Sequence, residues 1–159
     1  MLRVVSVLQG IQLVAKQFAY SGDFEWVPLS EAVGRRLAQP LAAGFSVPHY
    51  RRSTVDGYAV RARDVVGAGE SSPALLPMAF AVEMGEAARE VLKPNTCAYV
   101  PTGGHVPDGA DAMVMVEYTQ DFGSDRVIEK SVAVGDHIVQ IGEDVKEGQV
   151  LDRKSTRLN

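Results

Sequence analysis

The stretch Pro48-His-Tyr-Arg-Arg-Ser-Thr-Val-Asp-Gly-Tyr-Ala-Val60 decides the reading of the fold. Charged and hydroxyl residues precede an Asp-Gly pair, and the pair runs straight into apolar, strand-forming residues. Gly tolerates positive φ and the Asp side chain bonds nearby backbone N–H groups, so Asp56-Gly57 reads as a turn that opens a strand. The run DGYAVRARDV, residues 56–65, is expected to continue that strand, with Tyr58, Val60 and Ala62 on one face and Ala59, Arg61 and Arg63 on the other.

Downstream, Gly and Pro recur every few residues and the apolar segments are short and rich in β-branched and aromatic types. LLPMAFAVEMG and CAYVPTGG read as strands. ADAMVMVEYTQ and RVIEKSVAV flank DFGSD as an antiparallel hairpin, and DHIVQIGEDVKEGQVL adds a last short strand and a Gly-containing turn. Upstream, Val4, Val7, Leu8, Ile11, Val14, Ala15 and Phe18 recur at helical spacing, which predicts an amphipathic helix over about the first eighteen residues, ended by Ser-Gly-Asp. A second, shorter helix is expected from an N-cap at Ser30 to Gln39-Pro40. Helices first and many short strands after them, without alternating strand-helix units, define an α+β chain: N-terminal helices, then a β-rich domain with a mixed or antiparallel, barrel-like sheet.

The 159 residues are 46% hydrophobic and 23% charged, with a net charge of −4. That balance fits a globular chain and gives no basic excess to favour nucleic acid or an anionic membrane. Gln9, Gln12 and Lys16 interrupt the N-terminal apolar run, so neither a secretory segment nor a membrane span is expected. The single Cys97 reads as a small buried hydrophobe, consistent with a reducing cytoplasm.

Two clusters could carry chemistry. Arg51, Arg52, Arg61 and Arg63 lie close to Asp56 in sequence, with the hydroxyls of Ser53 and Thr54 between, a set able to hold an oxyanion; a carboxylate beside an anion fits best with a divalent cation or a proton between them. Thr102-Gly103-Gly104 offers a hydroxyl and unhindered backbone N–H groups, able to cup an oxyanion or equally to form a plain glycine turn. No Lys-Ser or Lys-Thr follows, so it is not a P-loop. Asp108 and Asp111 read as turn and strand-opening residues, and Glu117 would need a partner if buried. The acidic turn 142–148 could supply two carboxylates to a metal, but turns of this kind are usually solvated. His49, His105 and His137 stand apart without Cys, so a structural zinc site has no support.

In their order, PLSEAVGRRLAQPLAA, VPHYRRSTVDGYAVRARD, VPTGGHVPDGADAMVMVE and IGEDVKEGQVL resemble the N-terminal part of the MoeA family, the molybdopterin molybdotransferases, to which the E domain of gephyrin is related. The resemblance implies a chain that takes part in molybdenum cofactor biosynthesis. In that chemistry adenylylated molybdopterin binds, molybdate is inserted at the dithiolene and AMP is released with the help of magnesium. It implies residues 1–44 with 134–151 as one elongated part, residues 45–133 as a β-rich domain, and a pterin-binding domain further along the family's chain. It also implies a homodimer whose site forms between subunits. By resemblance Asp56 and Thr102 are the catalytic pair, Asp56 also the metal ligand, and Ser53, Gly57, Tyr58, Gly103 and Gly104 line the substrate. Val55 stands where Met is common, and Val139 where an Arg often precedes the Gly-Glu-Asp turn. Residues 152–159, DRKSTRLN, read either as translated adapter sequence, a non-native tail, or as a natural strand of the family's VLxRxxTRL pattern, and are set apart from the fold reading. The alternatives are a non-catalytic dimerisation or scaffold module, as gephyrin allows, and a small oxyanion-binding protein.

Overall fold

Residues 5–17 and 23–153 are described in the computed structural model. The chain divides into two compact units, residues 1–41 with 150–159 and residues 42–149. Residues 134–149 lie in the second unit.

In the first unit α1 spans Val7–Gln17. Ser6 and Gln9 close a reciprocal capping box at its start: the Gln9 N–H donates to Ser6 Oγ at 3.2 Å and the Ser6 N–H to Gln9 Oε1 at 3.0 Å. Lys16 lies in the last turn, where a cation complements the helix dipole. Val4, Phe18 and the expected Ser-Gly stop lie outside the described residues. The second expected helix is absent. Only a single 3-10 turn forms, at Leu29–Glu31, and Ser30 lies inside it rather than capping it. Gly34 stands at φ 82°, which no helix continues through, so Arg35 closes a local turn onto the Ala32 carbonyl instead. The chain is therefore mostly β, with one α-helix among the described residues.

Strands β1 (Leu41–Ala42) and β10 (Val150–Asp152) lie where the sequence passes between the units. Within the second unit, β2 (Arg52–Ser53) pairs with β9 (Ile138–Val139). The remaining strands are β3 (Gly57–Val60), β4 (Ala74–Ala81), β5 (Cys97–Val100), β6 (Ala112–Met115), β7 (Thr119–Phe122) and β8 (Asp125–Ile128). They form one sheet in the order β6-β3-β5-β4-β8-β7, in which only β4 and β5 run parallel.

The order dictates a curl. β6 and β7 are opposite edges, yet only Val116–Tyr118 separates them in sequence. Five strand spacings of about 4.8 Å would put the edges of a flat sheet roughly 24 Å apart. Four residues reach only about 14 Å. The sheet must bend into a half-barrel, its two edges joined end to end by the short link but not hydrogen-bonded to each other.

The expected strand 56–65 is shorter than its pattern: β3 stops at Val60 and Ala62–Val65 is a 3-10 turn. The alternation nevertheless holds. Tyr58, Val60 and Ala62 belong to one core cluster and Ala59 to a second on the other face, so all four residues of β3 are buried. The expected strand ADAMVMVEYTQ divides into β6, the 3-10 turn Val116–Tyr118 and β7, and the connection is not five residues but two: the hairpin of 119–128 turns on Gly123-Ser124, with Phe122 opposite Asp125 and Gly123 at φ 63°, the primed-turn conformation that suits strand twist. Cys97 is fully buried, and that burial pushes its thiol up to about 11. No helix among the described residues is long and apolar enough to cross a membrane.

Candidate functional site

Asp56 ends the turn that opens β3, and Thr102 sits just past the end of β5, the strand beside it. The antiparallel register Gly57↔Val100 brings the two clusters together across 46 residues of sequence, and Asp56 Oδ1 accepts the Thr102 N–H at 2.8 Å. Both residues are exposed. The second carboxylate oxygen of Asp56 and the hydroxyl of Thr102 make no hydrogen bond among the described residues.

The turn itself is tied from several sides. Gly103, at φ 79°, donates its N–H to the Ser53 carbonyl at 2.8 Å, and Ser53 donates back to the Gly104 carbonyl at 3.0 Å. The Gly104 N–H closes onto the Pro101 carbonyl at 2.8 Å. The three N–H groups of Thr102, Gly103 and Gly104 are thus all engaged inside the protein, and the expected backbone cup for an oxyanion has no donors left. What the turn presents is a side-chain hydroxyl beside a carboxylate. Gly104 is required by space: a Cβ there would stand 2.8 Å from the Pro101 carbonyl oxygen.

Other expected site residues are placed differently. Ser53 is buried, its Oγ donating to the Val55 carbonyl at 2.6 Å and accepting the Val55 N–H at 3.2 Å, so the hydroxyl shapes the 53–55 turn. Gly57 has no positive φ. Its need for a missing side chain comes from β6, because a Cβ would lie 2.0 Å from the Val114 carbonyl oxygen. The Tyr58 ring is in the core, edge-on to Tyr99 at 5.7 Å, and its hydroxyl accepts Arg126 Nε at 2.8 Å. Tyr58 therefore stands with Arg126 rather than with Asp56 and Thr102.

The arginine cluster does not converge on Asp56. Arg51 clamps the turn that leads into β6, donating to the carbonyls of Ala110 at 2.9 Å and Pro107 at 3.0 Å and pairing with Asp108 at 3.3 Å. Arg61 and Arg63 follow the far end of β3, and Arg63 pairs with Asp64. Arg52 is exposed. Asp111 accepts the Ala62 N–H at 2.6 Å, and Glu117 is exposed and needs no buried partner. In the acidic turn, Glu143 accepts the Gln140 N–H. No group of three or more His, Cys, Asp or Glu side chains that could hold a metal occurs among the described residues.

Two residues matter here that the sequence did not single out, Tyr50 and Val116, and a third, His105, that it weighed only as a zinc ligand. Tyr50 donates its hydroxyl to the Gly103 carbonyl at 3.2 Å. His105, directly after the turn, accepts the Ala88 N–H on Nδ1 at 2.9 Å. Val116 donates its N–H to the Asp56 carbonyl at 3.0 Å. Their partners are 53, 17 and 60 residues away, and no local pattern announces such pairs.

The fold is thus a half-barrel with a polar corner at which the Asp56 carboxylate holds the Thr102 backbone beside an exposed hydroxyl. The sequence matches the family described as "MoeA N-terminal region (domain I and II)" over residues 5–159. The chain belongs to this family. It is 35% identical over 145 residues to a molybdopterin molybdenumtransferase of Bacillus subtilis, covering 89% of this chain and 34% of that protein. It is 43% identical over 126 residues to molybdopterin molybdenumtransferase 2 of Mycobacterium tuberculosis, covering 79% and 31%. The crystal structure of a molybdopterin biosynthesis MoeA protein from Pyrococcus horikoshii superposes with a TM-score of 0.85 at 37% identity, over 99% of this chain and 41% of that one. The chain thus spans about a third of the length of these curated relatives.

Proposed function

We propose that this chain is the N-terminal portion of a molybdopterin molybdotransferase, acting in molybdenum cofactor biosynthesis. Its Asp56–Thr102 corner is one wall of a site that a pterin-binding domain of the partner subunit completes in a homodimer. The reaction is insertion of molybdate into adenylylated molybdopterin with release of AMP. The observation that carries this reading is the 2.8 Å bond from the Thr102 N–H to Asp56, which presents a hydroxyl and a carboxylate oxygen side by side at an exposed corner. Relatives of this chain named molybdopterin molybdenumtransferase support the substrate class.

In this reading the Thr102 hydroxyl donates to an anionic oxygen of the substrate, and Asp56 fixes the backbone that carries it. A magnesium ion fits this corner only with help. Mg²⁺ keeps several waters and needs one or two carboxylates plus substrate phosphates, and Asp56 would be the one protein ligand from this chain. When bound, the ion would neutralise phosphate charge. The scissile chemistry and the pterin contacts belong to the completing domain.

The test is a chimera that joins residues 1–151 of this chain to the remaining two thirds of the Bacillus subtilis relative, assayed for molybdate-dependent AMP release. The expected result is turnover in the chimera, with Asp56→Ala lowering it on the order of tenfold to a hundredfold, the scale of a lost charge-assisted bond. Asp56→Asn, which can still accept the Thr102 N–H, should retain more activity than Asp56→Ala. A folded chimera whose AMP release ignores molybdate would refute the proposal.

A further inference from the structure

We infer that Tyr50 is a positioning residue that sets the orientation of the Thr102-Gly103-Gly104 turn, an assignment that rests on the site reading above. Of the polar groups in this turn, the Gly103 carbonyl is held neither by Asp56 nor by Ser53. The Tyr50 hydroxyl holds it, donating at 3.2 Å. Gly103 at φ 79° permits its flanking peptides to rotate without a Cβ penalty, and nothing lies within 4 Å of where that Cβ would be. On the Gly103 side the orientation of this peptide is therefore set by hydrogen bonds, whereas Gly104 on its other side is closely packed.

The tyrosine is itself pinned. Its ring stands edge-on to His49 at 4.9 Å and to His105 at 5.2 Å, and His105 is anchored in turn by the Ala88 N–H on its Nδ1. His49, Tyr50 and His105, with Gly103, Gly104 and Glu86, line a cavity of about 230 Å³ on this side of the turn. A half-buried phenol with its ring fixed between two imidazoles delivers its hydroxyl to one place. Thr102 is thus held through its own N–H by Asp56, and the turn after it by backbone bonds to Ser53 and Pro101 and by the Tyr50 hydroxyl, the one side chain that fixes the Gly103 carbonyl and through it steers the Thr102 hydroxyl without touching substrate.

The test is Tyr50→Phe, which keeps the ring stack and deletes only the donor, beside Tyr50→Leu, which deletes both. Amide hydrogen exchange is measured on residues 1–159, with Val60 and Val114 in the sheet core as internal references. The expected result is exchange at Thr102, Gly103 and Gly104 faster by about fivefold in Tyr50→Phe, with Val60 and Val114 unchanged. In the chimera the same variant should lower kcat for AMP release with the KM for molybdate unchanged. Exchange in Tyr50→Phe equal to that of the parent, with only Tyr50→Leu altered, would overturn the inference and leave the ring as packing. Faster exchange that also appears at Val60 and Val114 would overturn it as a general loss of stability. Faster exchange confined to the turn with kcat unchanged would overturn its link to the site. A parent chimera without turnover sinks the proposed function alone, because the exchange measurement still decides whether Tyr50 holds the turn.

Discussion

Gly57→Ala separates two explanations of one glycine by the sign of its effect. Gly57 has no positive φ, so relief of unfolded-chain entropy alone would make alanine stabilising by about 0.4–1 kcal/mol. The structure predicts the opposite. A Cβ at Gly57 would stand 2.0 Å from the Val114 carbonyl oxygen and 3.1 Å from Met115 Cα, both backbone atoms, whereas ordinary contact begins at 3.4 Å. β3 and β6 would have to separate by the missing 1.4 Å at this point. That shift breaks ladder bonds at the Gly57↔Met115 end and loosens the Val116 N–H bond to the Asp56 carbonyl. Two or three such bonds at about 1 kcal/mol each, less the entropy gain, leave a loss of about 2 kcal/mol. The assay is urea unfolding followed by near-ultraviolet circular dichroism of the tyrosines, since Tyr58 and Tyr99 pack together inside the second unit. Fluorescence of the single tryptophan, Trp26, follows the first unit instead. With a slope of roughly 1–2 kcal/mol/M the midpoint should fall by about 1–2 M. A variant as stable as the parent, or more stable, would refute the close-approach argument.

Other outcomes follow from the same geometry. Arg51→Lys gives up the forked donors to the Ala110 and Pro107 carbonyls, and should lower unfolding stability by about 1–3 kcal/mol while the charge is kept; an unchanged urea midpoint would show the clamp to be idle. Burial raises the Cys97 thiol from 9.0 to about 11, so the folded state favours the neutral form. The stability this contributes is complete below pH 9 and declines as pH rises through 9 towards 11, and Cys97→Ala should remove that part of the alkaline decline. In the native protein at pH 8 the thiol should resist a disulfide reagent, and rapid labelling without unfolding would contradict its burial.

How much of this was legible in the sequence depends on how far each residue's partner lies along the chain. β5, β4 and the existence of a hairpin at Gly123 were readable because alternation and a glycine turn are local signals, but its strand bounds and loop length were not, since the break at Val116–Tyr118 follows from the sheet's curl. The alternation of Tyr58, Val60 and Ala62 against Ala59 was also correct, but burial of both faces was not, since that depends on β3 lying between β5 and β6. The second helix failed at Gly34: its apolar spacing was helical, and one residue at positive φ overrode it. At the site, the meeting of Asp56 and Thr102 was expected from resemblance, whereas the geometry of the turn was not. A threonine-glycine-glycine run looks like a donor cup until its donors are counted, and here the acceptors come from Asp56, Ser53 and Pro101. Arginines near Asp56 in sequence were likewise scattered, because β3 carries Arg61 and Arg63 to its other end.

The three-residue link Val116–Tyr118 does more than join two strands. It works as a drawstring across the mouth of the half-barrel, and the knot at one end is the Val116 N–H tied to the Asp56 carbonyl. Curvature and corner are thereby one mechanical element. A sheet that opened would pull Val116 away and carry Asp56 with it, and Thr102 would lose the carboxylate that steadies it. The polar corner is tied to the start of that link, so its geometry and the bend of the sheet share one set of bonds.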